Sequence, residues 1–360
     1  MAKKISVLTE GYLSVNSQGF LYPLLSNREL FSENQVKFVF FTSICPELLD
    51  CNILLIDSKF FRFQWEFDEN KIVDQLGIFA DRIDSILWFN TGDSSGVVGS
   101  YINTVLPYVN LYCKAQVYKD KSLYQKKLYA NRLYCDYYHR EFGIEDDEIL
   151  LPDPVIASDD LEKVRVSWNI GYARCYDFCG LYIAGLYKRW PRRFLLSFPV
   201  FVHEATKRRQ LGLFSRMSSN FSRNTISFQR MKLAELVGSM GRVSRRKYYK
   251  ELKSSKVVVS PFGWGEINNR DFEAFVHGCL LIKPSVNHLR TYPDFFIEQE
   301  TYVPYDWDLK NMASVLEEVE ANYCQYTDIA IEGQQRYVEA VFSKNGREAF
   351  VGHFIDLVST

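Results

Sequence analysis

The sequence SPFGWGEINNRDFEAFVHGCLLIKP occupies residues 260–284. It divides into the end of an apolar strand, a loop carrying Gly263 and Gly265, a helix from near Asn268, Gly278, and a second apolar strand closed by Lys283 and Pro284. Glycines in such a loop let the backbone come close to a ligand. The helix points free N–H groups and its positive end at the loop, which suits an anion, phosphate above all. Two phosphate-loop alternatives fail on inspection. The dinucleotide fingerprint G-x-G-x-x-G needs glycine at Asn268 and an acid about 20 residues on, where the chain has Lys283. The P-loop needs Gly-Lys-Ser/Thr, which is absent. A carboxylate one or two turns into the helix, Glu273, can accept both hydroxyls of a ribose while the helix start holds the phosphates. Trp264 is placed either to stack on a base or sugar or to pack the loop.

Working outward, the second half alternates short apolar runs with helical stretches. Residues 211–214 and 256–260 read as strands, 224–237 as a helix, 279–282 as a strand, and 308–321 and 334–357 as helices. The first half shows the same alternation: residues 5–8, 36–41 (VKFVFF), 52–56 (NILLI) and 86–89 (ILWF) read as strands. A Tyr- and Lys-rich helical region, 106–142, follows. Continuous apolar runs alternating with helices indicate parallel sheets covered on both faces. The expected fold is therefore α/β, with two Rossmann-like domains whose parallel sheets face a central cleft. The expected boundaries are an N-terminal domain at 1–150, a linker at 151–163 (two prolines and an acidic cluster), a C-terminal domain at 164–335, and a terminal helix at 336–360 packing back on the N-terminal domain. Ligands of such sheets bind beyond the carboxyl ends of the strands, where Glu10, Asp57 and Asp93 sit; each is equally readable as a turn or cap carboxylate.

Composition narrows the function classes. The 360 residues are 47% hydrophobic and 24% charged, with a net charge of −1, an ordinary globular balance. A uniformly basic nucleic-acid binder is excluded, so no nucleic-acid partner is expected. No apolar stretch approaches the roughly 20 residues that span a bilayer, and the N-terminus lacks a secretory pattern. The eight cysteines form no CxxC pair and read as free thiols in a reducing cytoplasm, so no metal site is expected. The charge is uneven within the second half: residues 203–256 hold 14 Lys/Arg against three Glu, whereas 257–328 hold four against 12 Asp/Glu. The basic segment suits a diphosphate or a polyanion, or is a solvated helix face.

Residues 260–284 resemble the donor-binding segment of GT-B glycosyltransferases, nearest to exostosin-like enzymes and bacterial surface-polysaccharide transferases. Phe272-Glu273-Ala274 through Gly278 and the strand after it carry the likeness, and residues 216–230 (RMSSNFSRNTISFQR) are similar to the region after the first strand of that family's second domain. The resemblance covers about 100 residues, 211–308, and is weak in the N-terminal half, where the βα pattern and the loop at 10–19 agree. It implies that Glu273 binds the donor ribose and that Arg216 and Arg223 neutralise the donor diphosphate, with Gly263, Trp264, Gly265 and Glu266 completing the donor site. Many retaining members have seven residues between two glutamates; here Glu266 and Glu273 have six, which leaves the stereochemistry open.

The implied reaction transfers a sugar from a nucleotide-sugar donor to a hydroxyl of a glycan or lipid-linked acceptor, in polysaccharide or glycoconjugate synthesis. The nucleotide-sugar is a substrate; no cofactor or metal is expected, and Asp93, then Glu10, are the candidate bases. The location expected is cytoplasmic, with peripheral contact at the inner membrane face where a lipid-linked acceptor requires it. Two other readings stay open: a nucleotide-sugar epimerase on the same fold, and a non-catalytic protein that binds anions or polysaccharide through the basic segment.

Overall fold

The computed structural model describes residues 3–11, 14–97, 101–147, 155–173, 175–180, 182, 200–238 and 241–359. The first half carries strands β1 (Lys3–Leu8), β2 (Val36–Phe41), β3 (Ile53–Asp57), β4 (Ser85–Asn90), β5 (Leu111–Lys114), β6 (Gln116–Tyr118) and β7 (Val164–Val166). Six of them form one sheet in the order β2-β1-β3-β4-β5-β7, every pair parallel. The second half carries β8 (Leu211–Phe214), β9 (Ser255–Val259), β10 (Leu280–Pro284), β11 (Leu289–Thr291) and β12 (Val303–Tyr305). Four of these form a second parallel sheet, β12-β10-β9-β8. All five residues of β3 and of β10 are buried. That is the burial expected of strands covered by helices on both faces, and it explains why they stand out as unbroken apolar runs. The expectation of two Rossmann-like α/β units holds.

The units are joined by more than the chain. β6 from the first half pairs antiparallel with β11 from the second, from Leu289 opposite Tyr118 to Thr291 opposite Gln116. The last helix, Lys344–Leu357, lies on the first unit. Phe354 meets Phe31 at 5.0 Å between ring centroids, and Phe350 meets Trp168 at 5.3 Å. Arg347 donates to Asn27 Oδ1 at 2.7 Å and to the Ser26 carbonyl at 2.8 Å.

Three boundaries differ from the sequence expectation. The stretch 151–163 is not an interdomain linker in its described part (151–154, with both prolines, lie outside the described residues). Ile156 is buried and its N–H donates to the Tyr124 carbonyl at 3.0 Å, and a 3-10 turn at Ser158–Lys163 leads into β7 at the edge of the first sheet. The first unit thus runs through Val166, and the second does not begin at 164. The acidic, proline-bearing composition that suggests a linker also suits a chain crossing an exposed sheet edge. The boundary at 335/336 falls inside one continuous helix, Tyr323–Phe342. The region 106–142 is helical only in part: β5 and β6 lie within it, and the regular helix there is Leu133–Phe142. Pairing with β4 and β7 holds β5 as a strand, and pairing with β11 holds β6. Among the described residues no helix is long and apolar enough to cross a membrane; of the apolar stretch 194–202, residues 194–199 lie outside them.

Candidate functional site

β9 ends at Val259 and delivers residues 260–267 to the carboxyl edge of the second sheet. Asn268 then caps the helix Asn269–Val276. Its side chain accepts from the Arg270 N–H at 3.1 Å, and its own N–H donates to Asp271 Oδ2 at 3.0 Å, a reciprocal capping box. Behind the loop, Lys283 Nζ bonds Asp271 Oδ2 at 2.8 Å and the Glu266 carbonyl at 2.9 Å, fully buried. This pair fixes the helix start against β10.

The first unit grips the same loop. Tyr134 donates to the Gly263 carbonyl at 2.7 Å and Arg132 Nε to the Trp264 carbonyl at 2.9 Å. Glu266 is fully buried: one oxygen accepts the Ser95 hydroxyl, and the other accepts the Ser95 N–H at 3.1 Å and Gln116 Nε2 at 3.2 Å. The sequence reading gave Glu266 to the donor. The structure gives it to the seam between the units, where a buried carboxylate finds the donors that its desolvation requires. Gly265 lines the cavity on the second unit's side and is also pressed against the first unit. A Cβ there would lie 1.8 Å from the Asp93 carbonyl oxygen, so glycine permits an approach of backbone to backbone. At Gly263 the nearest atom to a Cβ is a guanidinium nitrogen of Arg230, at 3.3 Å.

Two cavities of about 370 Å³ each open where the sheets' carboxyl ends meet. Both are lined by Asp93 and Trp264. The first lies on the second unit's side, along Gly263, Gly265, Asn268, Asn269, Arg270, Glu273, Arg230 and Tyr248. Glu273 accepts the hydroxyls of Tyr248 at 2.5 Å and Tyr249 at 3.1 Å. Burial raises its pKa above the ordinary glutamate value, against the lowering pull of these hydroxyls and of Arg270. Arg230 is buried; its Nε donates to the Phe262 carbonyl at 2.6 Å, and desolvation lowers its pKa to about 10. It therefore stays cationic at neutral pH. Arg270, at the helix start, bonds the Arg216 carbonyl, while its buried Nε has no partner.

The two arginines taken from the family likeness fare differently. Arg216 is bound by Glu251 through both Nε and an Nη (2.9 Å) and lines neither cavity. Arg223 stands 5.8 Å from the Trp264 ring centroid, with Arg132 at 5.6 Å. Trp264 is 39% exposed, so its ring is open to a ligand. Arg230, one of the arginines of the basic segment that suits a diphosphate, and Arg270, which the sequence does not single out, are the arginines that line the cavity. Their charge is visible in the sequence, but their positions in the helices Asn224–Val237 and Asn269–Val276 do not by themselves show which guanidinium turns into the cavity.

The second cavity lies on the first unit's side. Trp65, Trp88, Tyr101 and Tyr112 line it together with Lys59, Arg62, Lys114 and Arg132. Asp93 sits between the two cavities, its Oδ1 held by Asn16 Nδ2 at 2.6 Å. Glu10 lines neither: it accepts from Ser17 at 3.1 Å and pairs with Arg62 at 3.4 Å. Asp57 is buried as well, accepting from Thr9, Ser17 and Thr91, each at 2.9 Å, and ties three strand ends together. Glu10 and Asp57 thus belong to the frame, and Asp93 is the strand-end carboxylate that reaches the cleft. Among the described residues no group of three or more His, Cys, Asp or Glu side chains is placed to hold a metal ion.

No protein-family model and no curated protein matches this chain. Solved structures similar to it include HepE from Anabaena in complex with UDP and glucose, with 9% identity, coverage of 98% of this chain and 99% of that one, and a TM-score of 0.42. MnaA from S. aureus with UDP has 10% identity, coverage of 99% and 98%, and a TM-score of 0.39. An alpha1,3-fucosyltransferase has 8% identity, coverage of 99% and 90%, and a TM-score of 0.44.

Proposed function

We propose that this protein is a GT-B-type glycosyltransferase that moves a sugar from a nucleotide-sugar donor to a hydroxyl of a glycan or lipid-linked acceptor. The observation that carries the proposal is the pair of cavities sharing one carboxylate. A cationic cavity at a helix N-terminus meets an aromatic one, and Asp93 lines both.

In this reading the donor's diphosphate lies between Arg230, Arg270 and the free N–H groups at the start of the helix Asn269–Val276. Glu273, two turns or less from that end, takes the ribose hydroxyls in exchange for those of Tyr248 and Tyr249. The acceptor occupies the aromatic cavity. Asp93 removes the proton of its hydroxyl as the oxygen forms a bond to the anomeric carbon. The bond from that carbon to the diphosphate oxygen breaks, and the electron pair leaves with the nucleotide. Negative charge builds on the diphosphate, where the two guanidinium groups and the helix end are already oriented, so the stabilisation costs little reorganisation and calls for no metal ion. A nucleotide-sugar epimerase would have no use for the second, aromatic cavity.

The test is a thermal-shift panel of UDP, GDP, dTDP, CDP, ADP and CMP without metal, followed by transfer assays with the corresponding sugars. One nucleotide is expected to raise Tm in the wild type and in Asp93→Asn, but not in Glu273→Ala. Asp93→Asn is expected to lose transfer by about a hundredfold or more while still binding donor. No shift with any nucleotide at millimolar concentration, or full transfer by Asp93→Asn, would overturn the proposal.

A further inference from the structure

The cavity on the first unit's side has an unusual charge balance. Arg132 and Lys114 are 4% and 3% exposed, and both line it. Arg132 spends its identified hydrogen bonds on two backbone carbonyls, those of Trp264 (2.9 Å) and Ala130 (3.1 Å). Lys114 Nζ donates to the Gly96 carbonyl at 3.1 Å. Among the described residues neither makes an ion pair with a carboxylate. A buried cation without a carboxylate partner is costly unless something else supplies the counter-charge. The nearby acids supply part of it: Glu266 acts on Lys114 through space, Glu10 pairs with Arg62 at the more exposed wall, and Asp93 stands at the far end with Asn16 on it. Lys59, also on the lining, adds a further cation. Beside these charges Trp65 and Tyr101 stack at 4.1 Å, an aromatic wall of the kind that packs against the apolar face of a sugar ring.

We propose that this cavity takes an acceptor saccharide that carries a negative group, a carboxylate or a phosphate, and that Lys114 and Arg132 receive that group. Calling the saccharide an acceptor rests on the transferase reading above; the anionic character rests on the lining itself. Arg132 offers a planar fork suited to two oxygens, and Lys114 a point charge with donors to spare. The same pair disfavours a neutral sugar, which would leave both cations desolvated and unmatched.

Tryptophan fluorescence titrations decide it, since Trp65 and Trp264 line the cavity. The probes are methyl glucoside, methyl glucuronide and glucose 6-phosphate, each added to the wild-type full chain. At least one anionic probe is expected to bind about tenfold or more tightly than the neutral one, and raising the salt is expected to narrow the gap. Preference for the glucuronide identifies a uronic-acid acceptor; preference for the phosphate identifies a phosphorylated one. Lys114→Met is expected to bring the preference below about threefold. Lys59→Gln, on the less buried wall, serves if Lys114→Met does not fold, and is expected to weaken the anionic probes alone. Equal binding of all three probes, no binding of any, or an undiminished preference in Lys114→Met would overturn the proposal. Nucleotide thermal shifts on the same samples keep the two readings apart. A nucleotide shift without saccharide preference sinks this inference alone. A saccharide preference without any nucleotide shift sinks the transferase reading and leaves an anionic-sugar site.

Discussion

Gly265 has no room for a side chain, because the Asp93 carbonyl lies where its Cβ would be. Alanine there must push the loop of one unit off the loop of the other. Gly265→Ala is expected to lower stability by several kcal/mol, about the cost of a severe overpacking; an unchanged urea midpoint would show that the two loops are not in contact in solution. Arg216 and Arg230 make a sharper contrast. The Arg216–Glu251 pair is partly exposed, so Arg216→Ala is expected to cost up to about 1 kcal/mol and leave nucleotide affinity unchanged. Arg230→Ala is expected to weaken nucleotide binding by about tenfold or more, because a buried, charge-assisted contact to a phosphate is lost. Calorimetric titration of both variants separates them, and the reverse order would return the diphosphate to Arg216. Both residues sit in one basic stretch, and only their neighbours, Glu251 for one and the Phe262 carbonyl for the other, tell them apart.

The helix Asn269–Val276 was legible almost to the residue, since its start and end are local chemistry. Asn268 and Asp271 form the capping box, and Gly278, at φ +60, turns the chain into β10. Asn268→Ala is expected to cost about 1 kcal/mol. Asp271→Ala is expected to cost about 3–5 kcal/mol, because Lys283 is then buried without its partner. Adding Lys283→Met to Asp271→Ala is expected to recover part of that loss, and equilibrium unfolding of the single and double variants reads it directly. No recovery would mean that Asp271 acts through the cap alone. Strands β5 and β6 were not legible, because Tyr, Cys, Lys and Val in that stretch also fit a helix. Their strand form comes from neighbours: β4 and β7 flank β5, and β11, more than 160 residues away, completes β6.

At the scale of the molecule, His277 is buried and His288 half-buried, with pKa values lowered to about 3 and about 4 by desolvation. In the unfolded chain they take up protons near 6.5, whereas in the folded chain they do not until about pH 3–4. The unfolded state therefore binds more protons throughout that window, and stability is expected to fall as the pH drops from about 6.5 towards 4. Asp57 and Glu273, whose pKa values burial raises, act with the opposite sign at the acid end. Replacing both histidines with asparagine is thus expected to flatten the fall in Tm between pH 7 and 5; an unaltered slope would show that other groups govern it. This effect belongs to the packed molecule, as neither histidine is marked in the sequence. The same division runs through the whole protein. The sequence by itself determined the two α/β units and the strand–loop–helix at 260–284, and it offered Glu10, Asp57, Asp93, Glu266 and Glu273 as candidate carboxylates without separating them. Each follows from local patterning: apolar runs, glycine positions and capping residues. Only the tertiary structure decided that the first unit extends through Val166 and that Glu266 and Gly265 serve the seam. It also decided that Arg230 and Arg270 line the cavity and Arg216 does not. Those outcomes depend on which desolvated group meets which partner across separations from 32 residues (Arg230 and Phe262) to 171 (Ser95 and Glu266), and no local pattern encodes that.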